Sequence, residues 1–322
     1  MGRLKIVYPV CCGMDVHRDF LIACIAATNA QGVTEYQSRR FSTYTGSLRE
    51  LRDWLLANDC KDVCMESTGK YWFPVHNILE ESCHVVVSHP KFVKAIKGKK
   101  TDKKDAQWIA DLFKHDLVRG SFIPPKDIRQ LRDLCRYWVK LSSYMTGEKN
   151  RAQNCLTVSN FKLDDVFSNV FGKSASAITT QLLEHPGEQF DVAPFVDGRC
   201  KTPIAQIQEA VDGIFTYEQA EKLKIIRGHM DSLERHKAEL ESLILEIAQN
   251  YLPQIELLLT VPGIHDAFTA IRILAEIGAD MTVFDTSKHL CSWAGLTPQN
   301  AESAGKKKTC LLYTSPSPRD TR

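Results

Sequence analysis

Two short apolar runs near the start of the chain, residues 5–12 (KIVYPVCC) and 20–27 (FLIACIAA), constrain the fold more than any other feature. Bounded by Gly13, Asp15 and Asn29, they read as two strands joined by a short turn. Residues 33–42 (VTEYQSRRFS) supply a third, more exposed strand. Residues 46–58 place Leu48, Leu51, Trp54 and Leu55 at helical spacing. A short strand then ends at Glu66, a helix covers 71–81, a buried strand covers 83–88 (CHVVVS), and a helix covers 103–114. The last keeps Ala106, Ile109, Ala110 and Phe113 on its apolar side. Three strands followed by alternating helix and strand is the element order of an RNase H-like α/β domain.

Beyond Pro124-Pro125 the pattern turns helical. Residues 126–152 are helical and basic, and 157–203 read as irregular, with Gly172, Pro186, Gly187, Pro194 and Gly198. From about Glu218 to Gln249 a long helix carries Ile226, Met230, Leu233, Lys237, Leu240, Ile244 and Ile247 in a heptad seam. That seam suits packing against helix 126–152 of the same chain or a coiled coil between two copies. In residues 256–277, the Val261-Pro262-Gly263-Ile264 turn separates two apolar helices. It has two readings: half of a helix-hairpin-helix that holds a phosphate on backbone N–H groups, or a plain helix connection. The expected organisation is therefore a domain over 5–124, a helical or coiled-coil oligomerisation region over 125–250, and a mostly α C-terminal domain over 251–310. Residues 311–322 (LLYTSPSPRDTR) look like a non-native tail and are set aside.

With 43% hydrophobic and 25% charged residues, the 322-residue chain has an ordinary globular composition. No apolar run reaches the roughly 18 residues that span a bilayer, and the N-terminus lacks a secretory signal. A cytoplasmic protein with no membrane partner is expected. The eleven cysteines contain no CxxC pair, so buried free thiols are expected rather than structural zinc. Net charge is only +2, but His89 to Asn154 holds 16 Lys and Arg against 7 Asp and Glu. Such a local block suits a phosphate polyanion, although a solvated helix face explains a charge run equally well.

The chemistry rests on four carboxylates. Asp15 follows the first apolar run, Glu66 ends the fourth strand, and Asp102 and Asp105 share one face at the start of a helix. In an RNase H-like sheet the first and fourth strands are neighbours, so the four groups can converge. Four such charges repel unless cations neutralise them, and two oxygen-ligated Mg²⁺ ions are the natural answer. Two such ions can stabilise attacking and leaving oxygens in phosphodiester cleavage. Taken singly, each carboxylate has an ordinary role: Asp15 in a turn, Glu66 in a surface ion pair, Asp102 as a helix cap and Asp105 as a partner of the helix dipole. The combination is more specific, with seven lysines between Lys91 and Lys104 beside the last pair. Lys97, Lys99, Lys100, Lys103 and Lys104 are candidate contacts to nucleic acid.

GMDVH at 13–17, MESTGKYW at 65–72 and KTDKKDAQWIA at 100–110 resemble the three signature blocks of the insertion-sequence one-ten family of transposases. TVPGIHDAFTAIRILAEIG at 260–278 and WAGLTPQNAESAGKKK at 293–308 resemble that family's second domain. The resemblance implies a RuvC-like N-terminal domain with a DEDD metal set, Asp15, Glu66, Asp102 and Asp105. It also implies a serine nucleophile, matched here by Ser303, with Lys306 and Lys307 as neighbouring nucleic-acid contacts. It implies DNA as substrate, an RNA made by the element itself as partner, a homo-oligomer (dimer or tetramer) with a composite site, and a bacterial, nucleoid-associated protein. His17, Lys70, Tyr71 and Trp72 fall in the same blocks; core packing is expected of Tyr71 and Trp72, and a supporting or structural role of His17. The family continues past the Ser-Ala-Gly-Lys block where this chain runs from Thr309-Cys310 into the apparent tail, which puts autonomous activity in doubt. Two other readings fit parts of the pattern: a RuvC-like nuclease using water, and a non-catalytic nucleic-acid binder.

Overall fold

A computed structural model describes residues 4–93, 101–296, 302–303 and 306–307, the last four by backbone only. The chain divides into two compact units, Met1–Ile123 and Pro124–Arg322.

The first unit holds β1 (Val10–Val16), β2 (Phe20–Thr28), β3 (Thr34–Ser42), α1 (Thr45–Ala57), β4 (Asp62–Glu66), α2 (Trp72–Leu79), β5 (His84–Ser88), the short α3 (Pro90–Val93) and α4 (Asp102–Lys114). The five strands form one sheet in the order β3-β2-β1-β4-β5. The β1–β2 and β2–β3 pairs are antiparallel, and β1–β4 and β4–β5 are parallel. A meander of three strands extended by two crossover strands, with helices on both faces, is the RNase H-like arrangement the element order implied and agrees with the RuvC-like domain the resemblance implied.

Each strand of the centre serves two cores because side chains alternate across the sheet. Cys12, Met14, Val16, Leu21, Ala23, Ile25, Val63 and Met65 pack under α1 and α2. Cys11, Ala26 and Cys64 face Ile109, Ala110 and Phe113 of α4. Trp72 is buried as expected, whereas Tyr71 is 42% exposed just outside α2. All ten described cysteines are free, and eight are buried. Burial pushes the Cys11 and Cys64 thiols up to about 12, so these groups behave as small apolar side chains.

The first strand departs from its expected bounds. It begins at Val10 rather than residue 5 and runs through Gly13 and Asp15 to Val16. Residues 7 and 8 instead donate backbone hydrogen bonds to the Lys114 carbonyl, and Tyr8 stacks on Phe113 with ring centroids 4.5 Å apart. Proline at position 9 has no N–H for the ladder and marks the change. Gly13, which resembled a terminator, is instead a docking point. A Cβ there would stand 2.3 Å from both the Ala106 carbonyl oxygen and the Ala110 nitrogen.

The second unit contains α5 (Lys126–Val158), α6 (Leu163–Val166), α7 (Lys173–Glu184), α8 (Ile204–Ala210), α9 (Tyr217–Ala248), α10 (Leu252–Leu259), α11 (Ala267–Ile277), α12 (Ser287–Trp293), β6 (Glu302–Ser303) and β7 (Lys306–Lys307). The region expected to be irregular holds two α-helices, α6 and α7, and α8 begins directly after it at Ile204. Phe161, Leu163, Val166, Ile178, Leu182 and Ile207 build a core there with Cys155, Leu156 and Leu223. The heptad seam packs within the chain: Leu233, Leu240 and Ile244 of α9 meet Ile128, Leu131, Cys135, Leu141 and Met145 of α5. Its one lysine, Lys237, lies with its ammonium 4.4 Å from the centre of the Trp138 ring. The Val261–Ile264 turn, with Gly263 at φ +96°, joins α10 to α11. The start of α11 is already capped, because the Asp266 carboxylate accepts the Thr269 N–H at 2.8 Å. That carboxylate takes one of the first N–H groups of α11, and the turn itself joins two helices as both readings of it expected. No helix among the described residues is long and apolar enough to cross a membrane.

Gly13→Ala is expected to destabilise the first unit by at least about 3 kcal/mol, the upper range for overpacking, since the obstacles are helix backbone atoms. Denaturant unfolding of the chain measures this; an unchanged midpoint would show that α4 does not need so close a seat.

Candidate active site

The C-terminal half of β1 sets the site. Alternation places Gly13 and Asp15 on the face covered by α4. The parallel register Gly13↔Cys64 and Met14↔Met65 continues to Asp15 beside Glu66, the last residue of β4. Both carboxylates therefore leave the sheet on the same side. Glu66 accepts a hydrogen bond from the Thr68 hydroxyl at 3.3 Å.

Thr101 begins α4. Its extended backbone (φ −142°, ψ 144°) and its hydroxyl, which accepts the Lys104 N–H at 3.4 Å, make it the cap. Asp102 is not the cap that the sequence suggested; it already belongs to the first helical turn with Asp105. Its carboxylate is thereby released from capping. The tight seat of α4 on Gly13 brings that first turn towards the end of β1.

Burial is the largest effect on Asp15 and raises its pKa above the ordinary carboxylate value. The charges of Asp102, Asp105 and Glu66 each raise it further, and only His17 acts in the opposite direction. Three other carboxylates thus act on Asp15 at the end of β1. No lysine or arginine among the described residues forms an ion pair with any of the four.

His17 is the residue the sequence undervalued. It stands two positions beyond Asp15, on the same face, where its N–H donates to the Phe20 carbonyl at 2.9 Å and closes the β1–β2 hairpin. Its Nε2 lies 3.2 Å from Asp15 Oδ2 and 3.8 Å from Asp102 Oδ1. One donor atom each from Asp15, His17 and Asp102 lie within 4.8 Å of one another. Nε2 is shielded from solvent and near enough to Asp15 for a hydrogen bond, but the alignment is wrong, and it has no such partner among the described residues. The strand spacing Asp-Val-His carried this information, since residues two apart share a face.

This donor set fits divalent cations. Oxygen donors crowd together without a cationic side chain, and an unpartnered nitrogen faces two of them. Asp15, Glu66, Asp102 and Asp105 would hold hard cations such as Mg²⁺, which take carboxylate oxygens and water.

Beside the carboxylates runs a shallow groove lined by Ile22, Ser38, Arg39, Arg40 and Lys103. The register Asp15↔Ile22 and Ile22↔Arg40 sets Arg40 in the same row as Asp15, two strands away. The Arg40 guanidinium rests 4.0 Å above the centre of the Phe20 ring. Lys103 and Lys104 are exposed on the first turn of α4. Lys97, Lys99 and Lys100 lie outside the described residues. Other members of the basic block are structural. Arg132 donates to the Ala275 and Glu276 carbonyls at 2.8 and 3.0 Å, and Arg136 pairs with the Glu276 carboxylate at 2.6 Å. Lys114 is buried against Asp111 at 2.6 Å.

Ser303 belongs to the second unit. Glu302–Ser303 pairs antiparallel with Lys306–Lys307, with Ser303 opposite Lys306. The side chains of Ser303, Lys306 and Lys307 lie outside the described residues.

Two family models match the chain. The model DEDD_Tnp_IS110, described as a transposase, matches residues 12–160. A second, Transposase IS116/IS110/IS902 family, matches residues 255–314. No curated protein matches. Among solved structures, Thermus thermophilus RuvC is 14% identical, covering 35% of this chain and 99% of that chain at a TM-score of 0.29. T. thermophilus RuvC in complex with Holliday junction substrate is 13% identical over the same shares, with a TM-score of 0.27. Fowlpox virus resolvase in complex with Holliday junction DNA is 14% identical, covering 32% of this chain and 72% of that one at a TM-score of 0.22. The first family model takes in three of the signature blocks and all four carboxylates, the second takes in the Ser303 hairpin, and at both ends the chain matches models of IS110-family transposases.

Proposed function

We propose that the chain cuts and rejoins DNA to move a bacterial insertion sequence, using two Mg²⁺ ions on Asp15, Glu66, Asp102 and Asp105 and Ser303 as nucleophile. The meeting of Asp15 with Asp102 at the end of β1, with Glu66 and Asp105 near enough to act on Asp15 by charge, carries this reading. Matches to two transposase family models support it. Bound there, the ions would polarise a phosphate and neutralise charge developing on the entering and leaving oxygens.

The chain's own groups divide the remaining work. The Ser303 oxygen attacks phosphorus and gives up its proton, the bond to one deoxyribose oxygen breaks, and that oxygen leaves as a hydroxyl. The phosphoserine ester keeps the bond energy, so the reverse attack by a DNA hydroxyl rejoins strands without ATP. Lys103, Lys104, Lys306, Lys307 and the Lys97–Lys100 cluster hold the DNA backbone. In this reading residues 5–124 carry the metals, 125–250 serve assembly, and 251–310 supply the serine. A homo-oligomer then forms the composite site, guided by an RNA from the same element, at the bacterial nucleoid.

Asp15→Asn and Glu66→Gln are each expected to lower strand cleavage by on the order of 10³-fold or more, a loss typical of removing charge stabilisation at the reacting group. Ser303→Ala is expected to abolish a covalent protein–DNA adduct resolved by denaturing electrophoresis. Cleavage that survives Ser303→Ala without any adduct would establish water as the nucleophile and overturn the serine assignment.

Asp15→Asn is also expected to raise the thermal midpoint of the protein in EDTA at pH 7. The folded-state pKa of Asp15 is raised, so its ionisation destabilises the fold above that pKa. The gain should therefore shrink as pH falls, because protonation removes the same charge. A lower midpoint for Asp15→Asn in EDTA at neutral pH would show that the carboxylates are not crowded.

Lys103→Ala with Lys104→Ala should weaken DNA binding and flatten its log–log salt slope by roughly 0.9 for each phosphate no longer neutralised. Fluorescence anisotropy across a salt series measures the slope, and an unchanged slope would place the DNA elsewhere.

A further inference from the structure

We propose that His17 is a metal ligand of this centre, binding through Nε2 to the ion shared by Asp15 and Asp102, and that it shifts the site's preference from Mg²⁺ towards Mn²⁺. The inference rests on the metal-dependent reading above and adds a nitrogen donor to the four carboxylates.

The geometry of the ring supports this. Two ligands at about 2.1 Å from one ion and at right angles stand roughly 3 Å apart. The 3.2 Å between Nε2 and Asp15 Oδ2 fits such a pair, and the 3.8 Å to Asp102 Oδ1 fits a wider angle around the same ion. The ring is held in place from the side, with the Phe20 ring centroid 4.7 Å away. The hairpin bond from the His17 N–H to the Phe20 carbonyl fixes the backbone beneath it.

Competing roles fit less well. As an imidazolium His17 would pair with Asp15 across the 3.2 Å between Nε2 and Oδ2, but that pair lacks an aligned hydrogen bond and leaves Asp102 Oδ1, 3.8 Å away, without one either. A neutral ring with its nitrogen lone pair facing two carboxylate oxygens is repulsive by itself. A cation between the three atoms turns that repulsion into coordination, and a buried nitrogen without a hydrogen bond ceases to be costly.

The chemical consequence is selectivity. Mg²⁺ takes oxygen ligands in strict octahedral geometry, whereas imidazole nitrogen suits transition metals. A site of carboxylates alone has no such bias. With His17 included, one of the two ion positions gains affinity for Mn²⁺ relative to Mg²⁺.

Three-pulse electron spin-echo spectroscopy of the full chain loaded with Mn²⁺ tests this. The expected result is a ¹⁴N coupling to manganese that disappears in His17→Gln, whose side chain offers oxygen as donor. In parallel, calorimetric titration should show Mn²⁺ affinity falling on the order of tenfold in His17→Gln, the lower end for disturbed metal-site residues, with Mg²⁺ affinity changed less. Absence of nitrogen coupling in the unsubstituted protein, or its persistence in His17→Gln, overturns the assignment of His17. If Mn²⁺ binding depends on Asp15 and Asp102 but shows no nitrogen, the carboxylate centre stands and only the His17 ligand falls. If Asp15→Asn leaves Mn²⁺ affinity intact, both readings fall.

Discussion

The close seat of α4 on Gly13 is the interaction on which the rest of the first unit depends. A glycine at this point lets the backbone of a helix touch the backbone of the central strand, with Ala106 and Ala110 as the helix's small residues at the interface. This places the first turn of α4 over the end of β1 rather than a side chain's width away. Asp102 and Asp105 therefore reach a position that Asp15 and Glu66 already share by strand register. A single missing methyl group thus joins parts of the chain some ninety residues apart into one centre.

That centre is assembled against its own electrostatics. Burial and three neighbouring carboxylates all oppose the ionised form of Asp15. The sheet and helices absorb this cost through two apolar cores that clamp β1 from both sides. Like charges held together without basic partners are poor structural elements and good cation hosts. The lysines and arginines nearby do not neutralise the cluster; they stand beside it, along a groove that begins at Lys103 and Arg40. Negative and positive charge are thus kept apart on one face of the sheet.

Much of this was legible in the sequence. Strand-like runs, the helical spacing of Leu48, Leu51 and Leu55, and the apolar side of residues 106–113 defined the element order, because burial on one face leaves a periodic trace. The four carboxylates stood out through family motifs rather than periodicity. What escaped depended on contacts between distant residues. Gly13 and Asp15 looked like the end of a strand, since a helix docking on glycine has no local signature. Thr101 and Asp102 are both good caps by composition, and only backbone conformation separates them. His17 gave no sign of facing Asp102, which is far away in the chain. In the second unit, glycines and prolines over 157–203 masked the helices α6 and α7, and Arg132 and Arg136 counted towards a phosphate-binding block although they hold the end of α11.

The two long helices of the second unit have a mechanical meaning. α5 and α9 run antiparallel, so that one end of the pair contributes Cys155, Leu156 and Leu223 to one core and the other contributes Leu131, Leu240 and Ile244 to another. A 33-residue helix such as α5 spans roughly 50 Å. Because each helix is continuous through both cores, neither core can rotate about the pair's axis without dragging its counterpart. The pair is thus one continuous two-helix element shared by both cores, with α11 packed at the end opposite the loop-rich one.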